Sequence, residues 1–137
     1  TPDTDALSVP GIAGTSPFAA AEPVPSALAM KGQRVFKFGV QAICDAVHGL
    51  CTEAGIEAAD IDHFIFHQAN PAAAQRLGIG DDRVARTLHA TGNISSACIP
   101  YTLDMLARSA RLHPGELIAL VGFGAGLDVG SCLIRWE

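Results

Sequence analysis

The stretch FIFHQANPAAAQ, residues 64–75, places a histidine at the end of a short apolar run and an Ala-rich segment directly after it. The apolar run predicts a short strand that is covered on both faces. Asn70 followed by Pro71 is typical of an N-cap and a first helical position, so we expect a short helix that ends near Gly78. His67 therefore lies where a buried strand ends, either as a catalytic group or as a polar residue leaving the core.

The composition is that of a globular domain. The chain has 137 residues, 49% of them hydrophobic and 17% charged, with a net charge of −5. At this length roughly two thirds of the unfolded surface can be buried, and an acidic chain without a broad basic face is not expected to bind nucleic acid. No apolar run approaches the roughly 20 residues of a membrane span, and the first residues carry no signal-peptide pattern. We therefore expect a cytoplasmic protein without a membrane segment.

The cysteines follow no metal-binding or disulfide pattern. Cys44, Cys51, Cys98 and Cys132 form no CxxC pair and have no histidine at ligand spacing, so we expect neither a metal site nor a disulfide framework. Free cysteine is among the most buried residue types. All four are therefore expected to be small packing residues in the core.

The chain divides into an arm and a domain. Residues 1–30 hold five of the eight prolines and show no sustained period, which predicts a Pro/Ala-rich connecting arm; residues 31–137 form the domain. From Val35 the spacing is helical, and Gly55 is placed to end that helix in a left-handed conformation. The expected buried stripe of this helix is Phe36, Val40, Ile43, Val47, Leu50 and Ala54, with Cys44 and Cys51 on the same side.

In the second half of the domain, the sequence pattern predicts one more helix and two strands. Residues 83–93 are ambiguous and favour a short strand running into a Gly-Asn turn. Residues 95–112 predict a helix that tolerates Pro100 in its first turn, and residues 117–124 and 128–136 predict strands. The expected buried stripe of that helix is Ile99, Leu103, Leu106 and Ala110. Helices that alternate with short apolar strands indicate an α/β layer structure.

Three segments carry groups suited to stabilising negative charge on oxygen. His67 follows the buried strand, Asn93 lies in the sequence TGNISS just before a helix, and GFGAG at residues 122–126 offers a backbone that a ligand can approach closely. A histidine, an amide and a bare loop could together hold a developing enolate or oxyanion. This combination favours a catalytic role for the histidine.

Four stretches in order resemble the β-ketoacyl-acyl-carrier-protein synthase III family of the thiolase superfamily. They are MKGQRVFKFGV (30–40), HQAN (67–70), GNISSACIP (92–100) and GFGAGLDVGS (122–131). The resemblance covers about residues 30–137 and implies the C-terminal half of a thiolase-like fold, an α/β structure with a mixed sheet packed by helices. It implies an acyltransferase of fatty acid or polyketide biosynthesis that joins an acyl thioester to malonyl-carrier protein by decarboxylative Claisen condensation.

The resemblance also implies roles for single residues. His67 and Asn93 match the pair that hydrogen-bonds the thioester carbonyl of malonyl-carrier protein, and Ala125 matches a position whose backbone N–H contributes to an oxyanion hole. Asn70 and Gly32 match positions that line the pantetheine tunnel. No permanently bound cofactor is implied, since the substrates are thioesters of CoA or phosphopantetheine.

The implied partners are a carrier protein and the other half of the enzyme. Lys37 matches a basic residue implicated in carrier-protein docking, although a solvated helix face explains it equally well. Where the family has a hydrophobic residue and then Arg, this chain has Pro71 and Ala72, so Arg76, one helical turn on, is the substitute we expect. The family's nucleophilic cysteine belongs to the N-terminal half, which we expect on another polypeptide within a homodimeric assembly. Cys98 is the one tempting replacement, but small residues such as Ser or Ala hold its position in the family.

Two other functions stay open at this level. The chain could be a non-catalytic paralogue that binds acyl carrier protein or stabilises a partner synthase, although a scaffold has no need of both His67 and Asn93. It could also serve acyl transfer to an alcohol or amine without chain extension. The acyl primer cannot be read from these residues, because a small change of bulk in the tunnel would alter it without touching any motif.

Overall fold

The computed structural model describes residues 6–8, 29–67 and 71–137. Its strands are β1 (Leu7–Ser8), β2 (Ala29–Met30), β3 (His63–Phe66), β4 (Leu117–Phe123) and β5 (Val129–Arg135). The centre is a three-stranded sheet in the order β3–β4–β5, in which β3 and β4 are parallel and β4 and β5 antiparallel. A separate antiparallel pair joins β1 to β2. The mixed sheet packed by helices confirms the predicted fold class, and the strands predicted at 63–67, 117–124 and 128–136 are all present.

Four α-helices accompany these strands in the described part of the chain. They are α1 (Gly32–Ala54), α2 (Pro71–Leu77), α3 (Leu88–Thr91) and α4 (Cys98–Arg108). The predicted end of α1 is confirmed, since Gly55 has φ 67° in the left-handed region. The predicted helix from Pro71 is also confirmed, and Gly78 follows it with φ 68°. The N-cap expected at Asn70 lies outside the described residues.

The buried face of α1 differs in part from the predicted stripe. Its buried row runs through Val35, Gly39 and Ile43, and Phe36, one residue or about 100° further around the helix, is 55% exposed. Ala54 is exposed as well, because it lies in the last turn beyond the sheet. The stripe is correct in the middle of the helix, where Ile43 and Val47 are fully buried.

Strand β3 separates two apolar clusters. Phe64 and Phe66 pack with residues of α1 such as Val47, whereas Ile65 packs with Leu106 of α4 on the other face. All three strand residues are at most 3% exposed. The prediction of a strand covered on both faces is therefore confirmed, and its alternating side chains connect the α1 face to the α4 face.

Helix α4 ends earlier than the apolar spacing predicted. Pro100 falls in its first turn as expected, and Leu106 is 4% exposed. Ala110, expected in the buried stripe, is exposed and has φ 53° beyond the helix end. The hydroxyl of Ser109 donates to the carbonyl oxygen of Met105 at 2.7 Å, and a hydroxyl that bonds the last turn competes with helix continuation there.

Residues 83–93 form no strand, and that prediction is wrong. Only Val84 makes a bridge to Phe64 of β3, after which the N–H of Ala85 donates to the Phe64 carbonyl at 3.0 Å. The Thr87 hydroxyl then lies 2.8 Å from the Thr102 hydroxyl. This buried pair holds the chain against α4, so the next residues coil into α3 instead of continuing along β3.

Three of the four cysteines are buried as predicted. Cys44, Cys51 and Cys98 are 3%, 9% and 6% exposed. Cys132 is exposed, so the prediction is wrong there. It belongs to β5, an edge strand of the described sheet, in which residues 129–132 are all exposed.

Some predictions concern parts of the chain that the structure describes only partly. Of the arm at residues 1–30, β1 and β2 are described, and Leu7 pairs with Met30; the division into arm and domain stays a prediction. Within residues 6–8, 29–67 and 71–137, no helix combines the length and apolarity that a membrane crossing requires. The same ranges contain no cluster of three His, Cys, Asp or Glu side chains suited to hold a metal ion.

The exposure of Cys132 gives a direct test of the fold. We expect iodoacetamide to alkylate Cys132 of the native chain rapidly and the three buried cysteines only after denaturation, because a buried thiol is shielded from the reagent. Peptide mass spectrometry after a short pulse of reagent measures this order. Equal labelling of all four cysteines in the native chain would contradict the described packing.

Glu116 ties the start of β4 to the start of β3. Its Oε2 accepts a hydrogen bond from the His113 backbone N–H at 2.7 Å and lies 3.1 Å from Nε2 of His63. The hydrogen bond from the His113 N–H is the main cause that holds the pKa of the Glu116 carboxyl below its ordinary value of 4.5; burial opposes it, and the His63 contacts add a smaller lowering effect. Asp62 supports the same junction by accepting the Leu117 N–H at 2.8 Å.

This lowered pKa predicts how stability depends on pH. The contribution of the Glu116 carboxylate is complete above the ordinary pKa near 4.5 and is lost as the pH falls through the lower pKa of the folded state. Glu116→Gln should therefore lower the free energy of unfolding at pH 7, and the deficit should shrink below about pH 4. Urea unfolding at several pH values measures it. Glu53→Gln, at an exposed position of α1, is the matched control, and an equal deficit in both variants would contradict the assignment.

Candidate active site

His67 is placed by the parallel pairing of β3 and β4. Its backbone N–H donates to the Val121 carbonyl at 2.8 Å, which extends the ladder one residue beyond β3. Parallel strands end at the same edge of a sheet, so His67 and the loop that follows β4 lie at one carboxyl edge. This is the edge at which open α/β sheets bind ligands.

The His67 ring is held from two directions. The Phe123 ring packs against it edge-on, with centroids 5.1 Å apart and an interplanar angle of 81°. Its Nδ1 lies 2.9 Å from Sγ of Cys98. Burial lowers the pKa of His67, which favours the neutral imidazole, with one N–H donor and one lone pair.

Phe123 in turn depends on a glycine of α1. The Phe123 ring packs edge-on against Phe38 with centroids 5.9 Å apart, and a Cβ at Gly39 would lie only 2.8 Å from Cζ of Phe123. Sequence reasoning missed the packing of Phe123 against α1. The available signal was Gly39 itself, since a glycine on the apolar row of a long helix often marks a close approach of another element.

Asn93 has a fixed amide orientation. Its Oδ1 accepts the Ser95 backbone N–H at 2.9 Å, which leaves the Nδ2 group as a donor. The side chain is exposed and follows Gly92, whose φ is 65°. Among the described residues Asn93 and His67 share no hydrogen bond, but Cys98, which touches His67, stands five positions after Asn93 in the same segment.

The glycine-rich loop returns the chain from β4 to β5. The Gly124 N–H donates to the backbone carbonyl of Asp128 at 3.0 Å, and the Leu127 N–H donates to the backbone carbonyl of Gly124 at 3.0 Å. Ala125, the first residue of a short 3-10 turn between them, is exposed. Gly126 has φ 81°, a conformation that L side chains rarely adopt. The loop therefore presents its backbone at the same edge as His67.

The remaining predicted site residues lie on the helices. Gly32 is the first residue of α1, Lys37 is exposed one turn later, and Arg76 is exposed in the last turn of α2. Asn70 lies outside the described residues. Within residues 29–67 and 71–137, no hydrogen bond or ion pair joins Gly32, Lys37 or Arg76 to His67, and their tunnel and docking roles stay predictions.

Comparison with known proteins identifies the family. The sequence profile described as 3-oxoacyl-[acyl-carrier-protein (ACP)] synthase III C terminal matches residues 51–136. The chain belongs to this family. Among curated relatives, β-ketoacyl-[acyl-carrier-protein] synthase III of Synechococcus elongatus is 42% identical over 113 residues, covering 80% of this chain and 34% of the relative. The enzyme of the same name from Desulfitobacterium hafniense is 39% identical over 138 residues, which cover 96% of this chain and 41% of the relative.

Solved structures of synthase III agree with this assignment. The crystal structure of 3-oxoacyl-(acyl carrier protein) synthase III from Pseudomonas aeruginosa superposes with a TM-score of 0.86 and 31% identity, over 98% of this chain and 41% of that one. The resemblance inferred from the four sequence stretches is thus confirmed, together with the C-terminal part of the fold that it implied. The chain spans 34% and 41% of the length of the two curated synthase III relatives.

The packing of Phe123 on α1 predicts the effect of one added methyl group. Gly39→Ala should lower the free energy of unfolding by about 1–3 kcal/mol, because the new Cβ displaces the Phe123 ring or the helix. Urea unfolding measures the loss. Gly49→Ala on the same helix is the control, since a Cβ there meets nothing within 4 Å, and it should be neutral or stabilising by up to about 1 kcal/mol. A Gly39→Ala variant as stable as Gly49→Ala would contradict this packing.

Proposed function

We propose that this chain supplies the decarboxylating part of a synthase III active site, with the nucleophilic cysteine contributed by an N-terminal-half polypeptide. The carrying observation is the position of the half-buried His67 at the carboxyl edge of the sheet, where burial lowers the pKa of its ring. Asn93, with its amide oriented to donate, belongs to the segment that reaches this ring through Cys98. Family membership supports the reaction class, and the coverage of the relatives leaves room for the other half.

The chemistry asks for donors and not for a charged base. When malonyl thioester loses CO₂, the electrons of the broken C–C bond move onto the thioester, and its oxygen becomes an enolate oxygen. His67 Nε2–H and Asn93 Nδ2–H both donate to that oxygen, which lowers the barrier because the donors are in place before the charge develops. A neutral imidazole serves here, since its N–H donates without a proton being transferred.

The enolate carbon then attacks the acyl thioester held on the cysteine of the other half. The new C–C bond forms, the cysteine thiolate leaves, and the β-ketoacyl product stays on the carrier protein. The backbone N–H of Ala125 in the GFGAG loop contributes to the oxyanion hole of this step. No permanently bound cofactor takes part, since CoA and phosphopantetheine enter only as thioester carriers.

The proposed partner is an acyl carrier protein, which would dock on exposed basic residues of this chain. Lys37 and Arg76 are exposed cations on α1 and α2, suited to an acidic carrier protein by long-range attraction. Gly32 and Asn70 are proposed to line the pantetheine tunnel. The complete assembly is proposed to be a cytoplasmic homodimer of two-half units.

The test is decarboxylation by the chain in complex with a cysteine-bearing N-terminal half. We expect the complex to release CO₂ from malonyl-carrier protein, and His67→Ala to reduce kcat by about 10²–10³, the effect of removing one oxyanion donor. Trapping of radiolabelled CO₂ measures the rate. His48→Ala, at an exposed histidine of α1, is the matched control and should leave the rate unchanged.

Three results would overturn the proposal. Full activity of His67→Ala would remove the histidine from the mechanism. Absence of CO₂ release in every combination of halves, with the complex intact, would favour a non-catalytic scaffold. Acyl transfer to an alcohol or amine without CO₂ release would favour the acyltransferase alternative.

A further inference from the structure

The contact between Cys98 and His67 goes beyond what the proposed function uses. Cys98 is the first residue of α4 and is 6% exposed. Its Sγ lies 2.9 Å from Nδ1 of His67. Nδ1 is the ring nitrogen that the proposed condensation does not need, because the donor to the substrate oxygen is Nε2.

A chain of hydroxyl groups fixes the first turn of α4. The Thr102 hydroxyl donates to the Cys98 carbonyl at 2.7 Å. Because a hydroxyl has one proton, the 2.8 Å contact between Thr87 and Thr102 must use the Thr87 proton. Both threonines are at most 9% exposed. The backbone of Cys98 is thereby held in place, and with it the starting point of the thiol.

The pairing of thiol and imidazole selects a tautomer. A neutral imidazole accepts at one nitrogen and donates at the other, and a thiol is both a weak donor and a weak acceptor. Donation by the S–H group to Nδ1 places the ring proton on Nε2. The opposite arrangement would bury the Nδ1 proton against sulfur and leave Nε2 with a lone pair that repels an enolate oxygen. An ion pair would require imidazolium, which burial opposes.

The surroundings of Cys98 do not suit a nucleophile. A cavity that Cys98 helps to line has a volume of about 10 Å³, and its other lining residues are Phe66, Ala85, Thr87, Leu88, Gly92 and Thr102. That is about the space of one water molecule. An acyl group attached to Sγ would have no room there without displacement of α3 or α4.

We propose that Cys98 is a positioning residue, whose thiol donates to Nδ1 of His67 and so keeps the Nε2–H tautomer that decarboxylation needs. The catalytic purpose of this hydrogen bond rests on the proposed function. The hydrogen bond and the His67 tautomer can be measured in this chain alone. Phe123 sets the tilt of the ring from the α1 side. Cys98 sets its protonated nitrogen from the α4 side.

The tautomer is measured directly by NMR. Two-bond ¹H–¹⁵N correlation spectra of the chain labelled with [¹⁵N]histidine distinguish the protonated ring nitrogen from the bare one. We expect His67 of the wild-type chain to carry its proton on Nε2. Cys98→Ser keeps an O–H donor and should keep that tautomer, whereas Cys98→Ala should give a mixture of the two tautomers.

Kinetics in complex with the N-terminal half supply the second readout. Cys98→Ala should lower kcat for decarboxylation about three- to tenfold, the worth of one hydrogen bond, with KM for malonyl-carrier protein unchanged. Cys98→Ser should restore most of kcat. Cys44→Ala is the matched control, because Cys44 is also a buried cysteine but its Sγ contacts the Ala73 carbonyl, at 4.0 Å, and not a histidine of the described residues. It should leave both the tautomer and kcat unchanged even if it lowers stability.

The outcomes separate this inference from the proposed function. An Nδ1–H tautomer in the wild-type chain, or an unchanged tautomer and kcat in Cys98→Ala, would overturn the positioning role. Two results together would make Cys98 a nucleophile instead. They are the loss of all activity in Cys98→Ser and a covalent acyl group on Cys98 of the wild-type chain, detected by intact mass spectrometry. If the tautomer responds to Cys98 while His67→Ala retains full decarboxylation, the proposed function fails and the tautomer assignment stands.

Discussion

The parallel pairing of β3 with β4 is the constraint on which the candidate site depends. It brings the ends of two strands to one edge, and the hydrogen bond from the His67 N–H to Val121 continues that pairing into the site itself. Glu116 and Asp62 hold the opposite ends of the same strands together. A shift of register by one residue would turn Phe64 and Ile65 to the wrong faces. The position of His67 is therefore specified by the burial of the whole strand.

The two faces of the sheet contribute different contacts to the His67 ring, one apolar and one polar. From the α1 face, Gly39 leaves space for Phe123, and the Phe123 ring packs on the imidazole. From the α4 face, Cys98 offers a thiol to Nδ1. The apolar contact restricts the tilt of the ring, and we propose that the polar contact restricts its protonation. Preorganisation of this kind is what a donor to a developing charge requires.

Local features of the fold could be predicted from the sequence, whereas the supports of the site could not. The strand before His67 and the helix end at Gly55 follow from apolar runs and backbone conformation, which are encoded locally. The contact of Cys98 with His67 joins residues 31 positions apart, and no periodicity encodes such a distance. Cys132 was misplaced for a related reason, since its burial depends on whether a neighbouring strand covers β5. His67 and Asn93 can be proposed from the sequence because their motifs are short and contiguous.

Among the described residues, the thiol nearest the histidine is enclosed by packed side chains. Its contact with Nδ1 does not by itself decide its role, because a thiol that donates to an imidazole is also the arrangement of a nucleophile and its base. The burial of Cys98 therefore carries the argument against attack by its thiol. With that thiol donating to Nδ1, as we propose, Nε2–H is the group that His67 offers to an enolate oxygen. In the proposed function, the attacking thiol then belongs to the N-terminal half.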